Sequence, residues 1–66
     1  MAKITRYGRS AEGNWWVVAI DTGTWKTARC FASFREVRHF AECLGFDLHN
    51  AVFSDYKAGE QIESYD

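Results

Sequence analysis

Sixty-six residues with eight Lys or Arg against nine Asp or Glu make a small, nearly neutral chain of formal net charge -1. That length allows one domain, residues 1–66, and a domain so short must pack densely, which 47% hydrophobic and 17% aromatic residues provide. The same figures exclude disorder for the body of the chain, and two cysteines exclude a disulfide-stapled scaffold.

The first residues, MAKITRYGRS, lack the apolar run of a signal peptide. Lys3 to Arg9 (KITRYGR) reads as a first strand on Ile4, Thr5 and Tyr7, and SAEGN, Ser10 to Asn14, reads as a turn. Asn14 to Asp21 (NWWVVAID) carries the strongest strand signal. It is aromatic and β-branched, with apolar residues at both parities, as in a central strand covered on one face by a helix. Its apolar run WWVVAI has six residues, against roughly twenty for a membrane span. Thr22-Gly23-Thr24 supplies a turn, and Trp25 to Ala32 (WKTARCFA) follows as a third strand, hairpin-paired with the second.

At Ser33 the period changes. Ser33-Phe34-Arg35-Glu36 matches a capping box, and Phe34, Val37, Phe40, Ala41 and Leu44 then fall on one helical face, with Arg35, Arg38, His39 and Glu42 on the other. Gly45 is the left-handed stop. Phe46 and Leu48 are expected to tuck under the helix end. Ala51 to Asp55 reads as a fourth strand, Lys57 to Glu60 as a turn, and Gln61 to Tyr65 as a short returning edge strand. The expected fold is α+β, in the order β-β-β-α-β(-β): a small antiparallel sheet of three to five strands with one amphipathic helix on one face.

Charge divides the chain at the helix. Residues 1–39 hold seven bases and three acids, a sum of +4, whereas residues 40–66 hold one base and six acids, a sum of -5. The acids culminate in SDYKAGEQIESYD, Ser54 to Asp66, where Tyr56 and Tyr65 are interleaved with them. Acids exposed together steer basic partners, and tyrosine is a common interface anchor. The residues expected to bind a partner are therefore Asp47, Asp55, Tyr56, Glu60, Glu63, Tyr65 and Asp66. The plainer alternative is a solubilising surface in which both tyrosines close the second face of the sheet.

Other constellations carry less. His39 and Cys43 share a helical face, with Glu36 one turn before, but the chain has no CxxC and no second histidine pair, so no metal is expected. The same pair lacks an orienting group for Cys/His catalysis, and the glycines make no phosphate-binding spacing, so neither enzyme activity nor a cofactor is expected. A second reading sets Arg6, Arg9, Lys26 and Arg29 on one sheet face beside Trp15 or Trp25, as in single-strand nucleic-acid binders. This direct nucleic-acid binding ranks below the acidic partner-binding reading, given a pI of about 6.1. Trp15, Val17 and Trp25 are also expected to form an exposed apolar patch on the open sheet face. A third reading is an assembly subunit that dimerises through a sheet edge.

The plan as a whole, with its capped helix SFREVRHFAECLG and acidic, tyrosine-bearing end SDYKAGEQIESYD, resembles small phage- or mobile-element-encoded inhibitors of the anti-CRISPR kind. The resemblance covers the full length and is one of type, without a diagnostic motif. It implies stoichiometric binding to a CRISPR effector, and the protein expected is a monomer in the bacterial cytoplasm. Such inhibitors often occupy a basic nucleic-acid path with an acidic, DNA-mimicking surface.

Overall fold

The run WVVAI buries side chains of both parities, so both faces of its strand must be covered, as at the centre of a sheet. In the computed structural model, which describes residues 2–60, that strand is β2, Trp16–Asp21. It pairs antiparallel with β1, Lys3–Arg9, on one side and with β3, Lys26–Phe31, on the other. The registers Tyr7↔Val18 and Val18↔Arg29 align the three strands. The ends of β2 and β3 are shorter than expected. Asn14 and Trp15 belong to the preceding turn, where the Ser10 N–H donates to the Trp15 carbonyl at 2.7 Å and the Trp15 N–H donates to Ser10 Oγ at 3.3 Å.

A bulge interrupts β1. The register passes from Ile4↔Ile20 to Arg6↔Ala19, leaving Thr5 unopposed. The extra residue resets the alternation, so Ile4 and Tyr7, three apart, both face the helix. Arg6 and Gly8 consequently point to the other face of the sheet.

The helix α1, Phe34–Leu44, lies across the sheet. Ser33 accepts from the Glu36 N–H, as a capping residue should. The Glu36 carboxylate reaches back one residue further than the usual box and accepts from the Ala32 N–H at 2.9 Å. At the other end Gly45, at φ 71°, lets its own N–H reach the Glu42 carbonyl and the Phe46 N–H reach that of Ala41. A Ser33→Ala variant is expected to lose about 1 kcal/mol, typical for a cap of this type. Urea denaturation followed by helical circular dichroism measures it, and unchanged stability would remove the cap from the account.

Val37 and Ala41 of α1 pack on Ile4, Val18 and Ile20 to form the core, flanked by Tyr7, Trp16, Phe31, Phe40, Leu44, Phe46 and Leu48. After a 3₁₀ turn at Leu48–Asn50 the chain enters β4, Val52–Phe53. β4 is shorter than the expected Ala51 to Asp55, and it pairs parallel with β1, giving the order β3-β2-β1-β4. The sheet is thus mixed and not wholly antiparallel. The reason is the helical crossover: α1 carries the chain back from the end of β3 to the level where β3 began, so the next strand must run in the direction of β3 and β1. The turn at Lys57 to Glu60 is present, with the Glu60 N–H donating to the Lys57 carbonyl at 3.0 Å. The expected edge strand from Gln61 to Tyr65 lies outside the described residues.

The sheet face away from the helix is not the open patch expected from Trp15, Val17 and Trp25. Val17 is buried there with Ala19 and Tyr56, while Trp15 and Trp25 are exposed at opposite ends of β2. Six residues of strand separate them, roughly 20 Å, so they cannot share one patch.

Candidate interaction surface

Beyond β4 the chain stays alongside β1. The Ser54 N–H donates to the Tyr7 carbonyl at 3.0 Å, the Tyr56 N–H to the Arg9 carbonyl at 2.8 Å, and the Arg9 N–H to Asp55 Oδ1 at 3.0 Å. Arg6 fastens this segment. Its Nε donates to the Ser54 carbonyl at 3.2 Å and its Nη2 to the Asp55 carbonyl at 2.9 Å. Nη1 and Nη2 also fork onto the two carboxylate oxygens of Glu60, and the guanidinium carbon sits 3.8 Å from the centre of the Tyr56 ring. Two backbone acceptors, one carboxylate and one aromatic face use the planar donor set of arginine as lysine could not.

The expected partner-binding residues therefore have different fates. Asp55 is exposed, with one carboxylate oxygen taken by the Arg9 N–H. Glu60 is partly buried and bound to Arg6 and to the Lys57 N–H. Tyr56 is not an exposed anchor. At 7% exposure it is part of the folded body, because Arg6 covers its ring and its N–H is bonded to β1. Asp47 is exposed but lies apart, at the helix end, where it caps the 3₁₀ turn through the His49 N–H at 2.9 Å and meets His49 Nδ1 at 3.0 Å. Glu63, Tyr65 and Asp66 lie outside the described residues.

Both interactions leave an electrostatic trace. The Glu60 carboxyl is held below its ordinary value, first by the hydrogen bond from Arg6 and then by the Lys57 N–H, and Asp47 is held down by the His49 backbone and ring. A carboxyl lowered on folding stabilises the fold above its unfolded value, and that contribution is lost as pH falls through the lowered one. Glu60→Gln is therefore expected to be less stable than the parent at neutral pH, with the gap closing as pH is lowered from about 6 to about 2. Thermal unfolding across that range tests it, and two parallel curves would contradict it.

Sequence reasoning missed an aromatic cluster on the helix side of the β1–β4 edge. Trp16 and Phe34 have ring centroids 5.0 Å apart, Tyr7 and Phe53 5.2 Å, Tyr7 and Phe34 6.1 Å, and Trp16 and Phe53 6.3 Å. Tyr7 and Trp16 anchor it in the core, whereas Phe34 and Phe53 face outward, with Phe53 61% exposed and neighbouring Val52 equally so. The available signal was the pair Val52-Phe53 in a segment too short to be covered on both faces. Arg9 borders the cluster, 5.6 Å from the Trp16 ring. Beside it a groove of about 450 Å³ is lined by Tyr7, Phe34, Arg38, Phe46 and Leu48, among others. Asp55, which is exposed, follows two residues beyond Phe53.

The basic residues of the second reading are not gathered on one sheet face. Arg6 is on the face away from the helix, while Arg9 and Arg29 lie against Trp16 and Phe40 on the helix side. Cys30 and Cys43 are free and exposed. Among the described residues no three His, Cys, Asp or Glu are grouped as metal ligands, and no helix is long and apolar enough to cross a membrane.

Among the described residues, fold and surface define a small α+β domain with a partly exposed aromatic cluster at one sheet edge. Comparison of the chain with protein-family models, with curated proteins and with solved structures finds no match.

Proposed function

We propose that the protein is a non-enzymatic binding protein, an inhibitor of the anti-CRISPR kind that attaches stoichiometrically to a nucleic-acid-handling effector in the cytoplasm of a bacterial host. The observation that carries this reading is the aromatic cluster with its exposed Phe34, Val52 and Phe53. Aromatic anchors beside a charged rim are the usual composition of a protein-binding surface. Asp55 and the acids at positions 63 and 66 supply the charge that draws in a basic nucleic-acid groove. Tyr56 and Glu60 hold the segment in place, and Phe34 and Phe53 anchor the partner in place of Tyr56.

The test is to titrate the protein into a panel of purified CRISPR effector complexes and follow target-DNA binding by each. The expected result is loss of DNA binding by at least one effector near equimolar protein. Phe53→Asp and Asp55→Lys are each expected to weaken the inhibition at least tenfold with the fold intact. No effect on any effector would sink the anti-CRISPR reading. Salt-sensitive binding of the protein itself to labelled DNA or RNA would put nucleic-acid recognition in its place.

A further inference from the structure

The outward face of α1 holds a nucleophile and a base side by side. Cys43 Sγ lies 3.6 Å from His39 Nε2, and both residues are exposed. They are four apart on the helix, so the backbone keeps them adjacent. They open on a groove of about 550 Å³ lined also by Phe31, Phe40, Arg35 and Glu36. The Phe31 and Phe40 rings, 5.2 Å apart, make its apolar floor. Its acid, Glu36, accepts from the Ala32 N–H and keeps its charge, but two cations stand against it: Arg35 in the lining and Arg29, 5.7 Å from the Phe40 ring.

Cys30 provides the contrast. It is equally free and exposed, but it stands on β3 opposite Val17, on the sheet face away from the helix. The chain has two histidines; one is beside Cys43 and the other is bonded to Asp47. Cys30 is thus also exposed but has no histidine beside it.

We propose that Cys43 is a modification site for low-molecular-weight anionic disulfides, with His39 as the group that takes the thiol proton. The Cys43 S–H proton passes to His39 Nε2 as the sulfur attacks one sulfur of the disulfide R–S–S–R. The R–S–S–R bond breaks, Cys43–S–S–R forms, and the departing thiolate leaves as RSH with the proton from the imidazolium. Cys43 is oxidised and the released half of the disulfide is reduced, so no other oxidant is needed. The apolar floor seats the adduct, and Arg35 meets its carboxylates. This site is separate from the aromatic cluster and does not depend on the binding function proposed above.

The experiment uses glutathione disulfide as the probe and intact mass to count adducts with time, on the full chain. Single variants Cys30→Ser and Cys43→Ser isolate each thiol. The thiol of Cys43 is expected to react about tenfold faster than that of Cys30, and His39→Gln in the Cys30→Ser background to remove most of that advantage. Helical circular dichroism confirms that α1 survives the substitution. Arg35→Gln is expected to slow the reaction with glutathione disulfide more than that with neutral bis(2-hydroxyethyl) disulfide. Equal rates for the two cysteines, or a Cys43 rate indifferent to His39→Gln with α1 intact, would overturn the proposal. Equal slowing of both disulfides by Arg35→Gln would overturn its preference for anions.

Discussion

Gly8→Ala is expected to detach the segment from Ser54 to Glu60 from the sheet and to cost about 3 kcal/mol or more. A β-carbon at position 8 would sit 2.1 Å from the Ser54 carbonyl oxygen, 2.6 Å from its carbon and 2.8 Å from the Asp55 α-carbon. All three are backbone atoms, so no rotamer change relieves the contact. Space, not backbone freedom, is what position 8 requires, since Gly8 is not among the residues with positive φ. If the segment lifts away, the Ser54 and Tyr56 amides lose their β1 acceptors and Arg6 loses its two backbone acceptors, Glu60 and the Tyr56 ring together. Urea denaturation gives the cost, and amide exchange at Ser54 and Tyr56 reports the detachment. A variant with parent-like stability and both amides still protected would show that the close approach is not required.

Ile4→Ala is expected to lose about 2–5 kcal/mol, against about 0.5–1.5 kcal/mol for Ile4→Val. Ile4 is 1% exposed and packs with Val18, Ile20, Val37 and Ala41, so removing its outer carbons leaves a void between sheet and helix. A domain of this size has a total stability of roughly 3–10 kcal/mol at usual per-residue values, so the alanine variant sacrifices a large share of it. Both substitutions keep the residue apolar, and the Ile, Val, Ala series separates loss of volume from any change of polarity. Denaturant midpoints for the three proteins make the comparison. If alanine cost no more than valine, Ile4 would not be a packing contact between sheet and helix.

The elements legible in the sequence are those made by neighbours in the chain. Ser33 and Gly45 bound the helix through bonds to residues no more than four positions away. β2 is visible because alternate side chains face opposite layers and both sets are apolar. The candidate surface was legible only in part. Exposure of Asp47 and Asp55 follows from their charge, but the burial of Tyr56 depends on Arg6, fifty positions earlier, and Glu60 meets the same guanidinium across 54 positions. No local pattern in KAGEQ announces that partner. The aromatic cluster escaped notice for the same reason, since Tyr7, Trp16, Phe34 and Phe53 come from four different elements.

By itself, then, the sequence determined the α+β class, the three N-terminal strands, the capped helix and the helix-facing core, because hydrophobic period and capping chemistry act over a few residues. Only the tertiary structure decided the parallel pairing of β4, the bulge that turns Arg6 outward, the burial of Tyr56 and the exposure of Phe53. Those depend on where a helical crossover returns the chain and on which distant side chains meet there. Both are properties of the packed molecule, set by geometry in three dimensions and not by the spacing of residues along the chain.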